Sequence, residues 1–328
     1  MARPSPGGNS TAAPGPAAGR RRSALDYLFV LRPILLVPAW TMLLAGHYRS
    51  AGIDRMTWRL PPELWLMIAL YSGLMGAAYI VNQIFDVETD RLNKKLFLVA
   101  EGYVSKPGIV IEAVLLFAVA IVVSFLRYPP LVVWLVAASG LLGLLYSVPP
   151  FKFKAKPFLD MLANGAGYGG LAFATGWTAT GAPASEAWIA ALPYVLSVSA
   201  VYLNTTLPDY RSDKATGNVT TGVLIGGKAT TWLALALMAA SAALAWRLGD
   251  NLCLVAAACS LPLFLLAVIT QQMRWVMLSY QGGALLLVAL VGLIFPVFFV
   301  MLLVTYAALR YYHKWRFGMD YPRFADRG

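Results

Sequence analysis

Asn82, Asp86 and Asp90 follow one another at intervals of four near the end of an apolar run, in the stretch NQIFDVETD. On a helix that interval turns by only about 40° per step, so the spacing predicts one polar stripe on a single face. Glu88 falls off the stripe and is given no role. Asp209 and Asp213 repeat the interval in YLNTTLPDYRSDKATG. At an offset of 123 residues, Tyr79 aligns with Tyr202, Asp86 with Asp209, Asp90 with Asp213 and Arg91 with Lys214. This resembles an internal duplication whose halves deliver two carboxylate stripes to one cavity. Facing stripes repel unless a cation lies between them. Carboxylates favour hard cations, and Mg²⁺ takes one or two of them and completes its octahedron with water and phosphate oxygens. The four aspartates are therefore expected to hold Mg²⁺ together with a diphosphate.

The elements that must position them are membrane helices. The chain has 328 residues, 59% hydrophobic and 12% charged, with a mean hydropathy of +0.66; a soluble domain carries about a quarter charged residues. Apolar runs long enough for a hydrocarbon core of about 30 Å fall near 27–46, 63–84, 108–127, 129–148, 158–180, 187–208, 227–247, 251–271 and 282–311. The fold expected is an all-α integral membrane bundle of about nine helices, built from two pseudo-repeated halves around a central cavity. Residues 1–22, rich in Pro, Gly and Ala, read as a disordered tail, 23–312 as the membrane domain and 313–328 as a basic tail. Arg32 and Pro33 interrupt the first apolar run, which argues against a cleaved signal peptide.

Lys and Arg set the orientation. With the amino terminus and the aspartate loops cytoplasmic, most basic residues lie inside, and the outer loops hold only Arg49, Arg55, Arg59, Arg127 and Arg247. One feature resists: nine spans put the carboxyl tail outside, yet it carries Arg310, Lys314, Arg316, Arg323 and Arg327. The net charge of +11 reads as attraction to anionic lipid headgroups and an anionic substrate. With no soluble basic domain, nucleic acid is a poor alternative.

Other residues carry two readings each. In YSVPPFKFKAKP, Lys152, Lys154 and Lys156 either contact phosphate or follow the positive-inside bias. Asp160 and Asn164, four apart in KPFLDMLANGAGYGG, either serve the acceptor or cap and bridge helices. Asn164 is taken as a substrate-binding candidate and Asp160 is left open. Arg32 either anchors to headgroups or neutralises diphosphate. Trp40, Phe173, Trp177 and Tyr202 either face a hydrocarbon tail or pack the core. Cys253 and Cys259 fall on different helix faces and read as packing residues, and His47 and His313 are too isolated for a metal site.

With these motifs in view, the chain resembles the UbiA superfamily of intramembrane prenyltransferases over roughly residues 25–310. The ordered motifs are LRP in the first span, NQIFDVETDRLNK, YSVPPFKFK and DYRSDKATGNVTTGVLIG. The resemblance implies a nine-helix bundle enclosing a lipid-facing cavity, with Mg²⁺ and a prenyl diphosphate at its cytoplasmic mouth. It implies that Asn82, Asp86 and Asp90 form a first aspartate motif and that Asp209 and Asp213 form a second. Lys152 and Lys214 then fall near the diphosphate, and Tyr146 matches a tyrosine of the loop motif. The implied activity is Mg²⁺-dependent transfer of an isoprenyl group to a lipophilic acceptor. Gln83 stands where many members have an acid, Thr206 replaces an expected aspartate, and NKKLFLVAEG replaces a common Arg-Pro pair, which puts the acceptor's identity in question.

Three rivals remain from the residues alone. A secondary transporter also uses intramembrane acids and repeated halves, although these acids cluster at span ends beside lysines. A membrane phosphotransferase would need an Asp-Gly near an Ala-Arg pair that is missing upstream. A terpene cyclase on the same fold differs only in keeping the isoprenyl group within one molecule.

Overall fold

The computed structural model describes residues 23–87 and 98–321, and among them only helices, turns and loops occur. The expectations for residues 1–22, Glu88, Asp90 and the end of the basic tail lie outside the described residues.

The chain enters through α1 (Ala24–Val30), started by a capping box in which Ser23 accepts from the backbone and Asp26 reaches back to it. Arg32 takes a left-handed conformation with φ 54 and, with Pro33, breaks this first traverse before a 3₁₀ turn (Pro33–Leu36) and α2 (Val37–Ser50). There follow α3 (Pro62–Phe85), α4 (Lys106–Arg127) and α5 (Pro130–Ser147). The next traverse is composite: α6 (Leu159–Asn164), a π-helical stretch (Gly165–Ala172) and α7 (Phe173–Thr178). After α8 (Ala187–Thr205) come two short helices, α9 (Tyr210–Ala215) and α10 (Thr221–Ile225). The chain closes with α11 (Gly227–Arg247), α12 (Asn251–Thr270), α13 (Met273–Ile294) and α14 (Pro296–Phe317).

Among the described residues, 8 helical segments are long and apolar enough to cross a membrane, from Ala24–Ser50 to Met273–Ile294. The composite traverse and α14 lie outside that set. The apolar run 282–311 is shared by two helices that meet at Phe295–Pro296, so the sequence count of nine merges the end of α13 with α14.

Packing relies on close backbone approach, as expected where lipid removes the hydrophobic incentive between helices. A Cβ at Gly46 of α2 would lie 2.0 Å from the Phe173 carbonyl oxygen, and one at Gly176 of α7 would lie 2.0 Å from that of Leu43. The two helices therefore touch main chain to main chain in both directions. Tyr71, Tyr194, Phe173, Phe295 and Phe298 fill the interior around this seam.

The bundle has two ends. At one, Arg49 pairs with Asp250 at 3.2 Å, Tyr128 donates to the Glu63 carbonyl, and the Thr57 amide donates to Ile294 O at 2.8 Å. At the other lie Asp26, Asp86, the 148–158 loop and α9 and α10. From Ile294 at the first end, α14 runs back to the second, where Arg316 bonds Asp26 at 3.0 Å and Tyr312 stacks on Phe29 with centroids 3.8 Å apart. The basic Arg310, Lys314 and Arg316 thus end on the face that carries Lys152, Lys154 and Lys214. That position gathers the basic end of α14 with the other lysines, as the charge rule asks and a count of nine spans does not.

Candidate active site

The described part of the first stripe ends at Asp86. Helix α3 stops at Phe85, and Asp86 caps it with φ −108 and ψ 8, bonded through its amide to Asn82 O. Asn82 sits one turn earlier and donates through Nδ2 to Ser147 Oγ at 3.0 Å, which leaves its amide oxygen as an acceptor.

The second stripe does not continue its span. Helix α8 ends at Thr205, ahead of Pro208, because the residue preceding a proline is disfavoured in helical geometry. Asp209 instead caps the separate α9, and the Asp213 amide donates to Asp209 O at 2.9 Å, so the pair spans one turn of a short helix at the bundle end.

Two chambers lie within the bundle, and the charged one reaches this end. The charged chamber, of about 360 Å³, has Arg32, Asn82, Asp86 and Lys154 in its wall. It reaches Tyr71, eleven residues before Asn82 and so roughly 16 Å along α3. There Tyr71 donates to Ser139 Oγ at 3.0 Å. Lys154 Nζ bonds Asp86 Oδ2 directly. Residues 152–156 make this possible, since Lys152 turns the chain at φ 36 and a 3₁₀ turn (Phe153–Ala155) points Lys154 inward. The apolar chamber, of about 200 Å³, is lined from α2, α8, α12 and α13 by Met42, Val198, Val201, Ala257, Leu287 and Val288, among others.

The chambers meet at Asn164 and Tyr168, which line both. A hydrogen-bonded band crosses there. Asn164 Nδ2 donates to Tyr146 Oη at 3.1 Å and to Asp160 O at 2.9 Å, and Tyr146 donates to Tyr202 Oη at 3.3 Å. Tyr168 pairs with Tyr79 at 2.7 Å. Tyr168 rides on the π-helical stretch, a geometry that recurs at functional sites. Gly169 brings that stretch against α8, where a Cβ would lie 2.5 Å from the Val195 nitrogen.

Of the residues singled out in the sequence, Arg32, Asn82, Asp86, Tyr146 and Asn164 line the charged chamber. Lys152 instead donates to Asn218 at 3.3 Å, tying the 148–158 loop to the segment after α9. Lys214 is exposed, and Asp209, Asp213 and Lys214 line neither chamber. Asp160 is fully buried and accepts from Thr221 N at 2.7 Å, from Thr221 Oγ1 and from Met161 N, which makes it the anchor of α10. Trp40 and Trp177 donate to Ser72 and to Pro183 O, and with Phe173 they pack the core; of those four aromatic residues Tyr202 alone lines a chamber. Of Lys152, Lys154 and Lys156, offered together in the sequence as phosphate contacts, Lys154 lines the chamber, and Tyr168 was missed altogether. The signal for Tyr168 was its place four residues after Asn164.

Among the described residues no three His, Cys, Asp or Glu side chains cluster as a metal cage. The donor set nevertheless suits Mg²⁺, which needs only one or two protein oxygens when phosphate supplies the others; Asp86 and Asn82 offer a carboxylate and an amide oxygen to one chamber.

Comparison with known proteins follows the same line. The model of the UbiA prenyltransferase family matches residues 35–275. A lycopene elongase/hydratase of Haloferax volcanii is 27% identical over 228 residues, 65% of this chain and 71% of that protein. A probable homogentisate phytyltransferase of Oryza sativa subsp. japonica is 33% identical over 104 residues, 30% of this chain and 27% of that protein. A UbiA homologue from Archaeoglobus fulgidus, solved with DMAPP and Mg²⁺, superposes with a TM-score of 0.64 at 20% identity, over 83% of this chain and 99% of that one. The helical bundle, the motifs and the extent of the family match together establish that this chain belongs to the UbiA prenyltransferase family, as an integral, multi-pass membrane enzyme.

Proposed function

We propose that the protein transfers an isoprenyl group from an allylic prenyl diphosphate to a lipophilic acceptor in a Mg²⁺-dependent reaction that releases diphosphate. The observation that carries this reading is the charged chamber itself, with Arg32, Asn82, Asp86 and Lys154 in a wall that also runs inward to an apolar floor. Such a shape suits a substrate with an anionic head and a hydrocarbon tail. Two chambers meeting at one junction favour two substrates, whereas a cyclase would need one.

In this reading Asp86, with Asn82, holds Mg²⁺, Asp209 and Asp213 of α9 add carboxylates at the same end, and Asp90, one turn on in the sequence stripe, completes the set. The ion supplies charge stabilisation for the leaving diphosphate when bound. Lys154 and Arg32 add positive charge beside the same phosphates. The tyrosine and asparagine band below them keeps water from the allylic carbon as its C–O bond breaks. The face bearing these residues is cytoplasmic, on the weight of its lysines and arginines.

The test is to incubate purified protein with Mg²⁺, labelled prenyl diphosphates of graded length and a lipid extract, and to identify products by mass spectrometry. A prenylated lipid formed with diphosphate release supports the proposal. Absence of Mg²⁺-dependent consumption across the whole series overturns it.

A further inference from the structure

Resting on that reading, we infer that the apolar chamber receives the acceptor and that the acceptor's reacting end is an uncharged isoprenoid hydrocarbon carrying a carbon–carbon double bond, not an aromatic acid or a phosphate ester.

The lining contains no ionisable acid, lysine or arginine. Its serine and threonine hydroxyls are also spoken for. Thr41 donates to Val37 O at 2.8 Å, Ser197 to Tyr194 O at 3.2 Å, Thr205 to Tyr202 O at 2.7 Å and Ser260 to Ala256 O at 2.6 Å, each within its own helix. Both Asn164 amide protons at the junction are likewise committed. A carboxylate or phosphate entering here would lose its hydration and find no cation, with the Tyr202 hydroxyl, which accepts from Tyr146, as the one side-chain donor left, and a single neutral hydroxyl does not replace the hydration of an anion. A hydrocarbon loses nothing. Among the described residues, the cations lining the two chambers, Arg32 and Lys154, belong to the charged chamber, where the diphosphate needs them.

The chamber's volume of about 200 Å³ suits a chain end only. Its wall between α2 and α13 includes Ala284, which is exposed, so the remainder of a long acceptor lies toward the bilayer on that side. The reacting ends then meet at Tyr168 and Asn164. There the allylic C–O bond breaks with its electron pair going to diphosphate, and the π electrons of the acceptor double bond form the new C–C bond. The cation left on the acceptor loses an adjacent proton to the released diphosphate.

The experiment presents the protein, in nanodiscs with Mg²⁺ and one prenyl diphosphate that it binds, with three acceptors in competition: lycopene as an acyclic polyene hydrocarbon, a hydroxylated aromatic acid, and a glycerol phosphate ether lipid. The expected result is prenylated hydrocarbon, favoured over each charged acceptor by at least ~100-fold in kcat/KM. Transfer to the aromatic acid or to the phosphate lipid in preference overturns this inference and leaves the prenyltransferase reading intact. No binding of any prenyl diphosphate with Mg²⁺ overturns both. Val201→Phe, which narrows the apolar chamber, should raise KM for the hydrocarbon by ~10-fold or more without weakening prenyl diphosphate binding; Ala284→Phe on the bilayer side provides the same test if the first variant fails to fold. Weakened prenyl diphosphate binding with an unchanged acceptor KM would mean that the chambers are exchanged, and the assignment falls.

Discussion

Tyr168 donates its hydroxyl proton to Tyr79 across 2.7 Å, because the single proton of Tyr79 is already given to the Leu35 carbonyl at 2.8 Å. The relay fixes Tyr168 between the two chambers by tying the π-helical stretch to α3 and to the 3₁₀ turn that follows Arg32. Tyr168→Phe keeps the ring and removes only the donated bond, so a stability cost of ~0.5–1.5 kcal/mol with selectivity retained is expected. Tyr168→Ala removes the partition, and discrimination among acceptors should fall by ~10-fold or more in kcat/KM ratios. Unchanged ratios in the alanine variant would show that Tyr168 does not separate the substrates.

Asp86→Asn and Asp213→Asn should each lower turnover by ~10²-fold or more, since each removes charge from the work of stabilising the leaving diphosphate. The two variants also report on position. Asp86 lies in a chamber wall and Asp213 on the short helix above, so Asp86→Asn should show the larger rise in the Mg²⁺ concentration needed for half-maximal rate. Full activity of both variants with Mg²⁺ chelated would remove the aspartates from the site.

Among the lysines, geometry separates residues that the sequence treats alike. Lys154 enters the charged chamber, whereas Lys152 is committed to Asn218 and Lys214 is exposed. Lys154→Met keeps most of the apolar stem and deletes the ammonium. A charge-assisted contact of ~1.5–3 kcal/mol corresponds to a loss in prenyl diphosphate affinity of roughly 10- to 150-fold. Lys214→Met should stay close to wild type in the same titration. Equal losses at both positions would place the diphosphate nearer α9 than the chamber walls suggest.

Much of this architecture could be read from residue types, and the misses have local causes. Apolar runs marked the traverses because bilayer thickness sets their length. The turn at Phe295–Pro296 escaped because Phe295 is itself fully buried and apolar, so hydropathy runs through it and proline is the only sign. A spacing of four implied continuous helices through both aspartate motifs, but periodicity is silent about where a helix stops. Asp86 turned out to cap one helix and Asp209 to start another. Inward direction at 152–156 depends on one left-handed residue, Lys152, that composition gives no reason to expect. Tyr168 was hidden because a tyrosine among glycines looks like helix packing until its partner, 89 positions away, is known.

The clasp between the chain's two ends gives the last prediction. Asp26 is fully buried and is met by Arg316 through Nε at 3.1 Å and Nη2 at 3.0 Å, by the Tyr312 hydroxyl at 2.8 Å and by the Ser23 amide at 2.9 Å. Between its two ends α14 packs only through half-buried side chains such as Met301 and Leu302, for residues 299–308 include none that is buried. Its fully buried contacts therefore lie at its two ends, the Phe295 and Phe298 anchor at one and Leu309, Tyr312 and this clasp at the other. Arg316→Met strands a desolvated carboxylate, and breaking a buried pair from one side costs ~3–5 kcal/mol. The loss should appear locally, as faster amide exchange and proteolysis in residues 306–317, ahead of global unfolding. Asp26→Asn combined with Arg316→Met removes both charges and should recover much of the stability, because a neutral pair carries no buried-charge penalty. If the double variant is as unstable as the single one, helix packing and not charge compensation holds α14. If the single variant exchanges like wild type, the clasp contributes nothing measurable and α14 stays docked through its aromatic contacts with Phe29 and Tyr103.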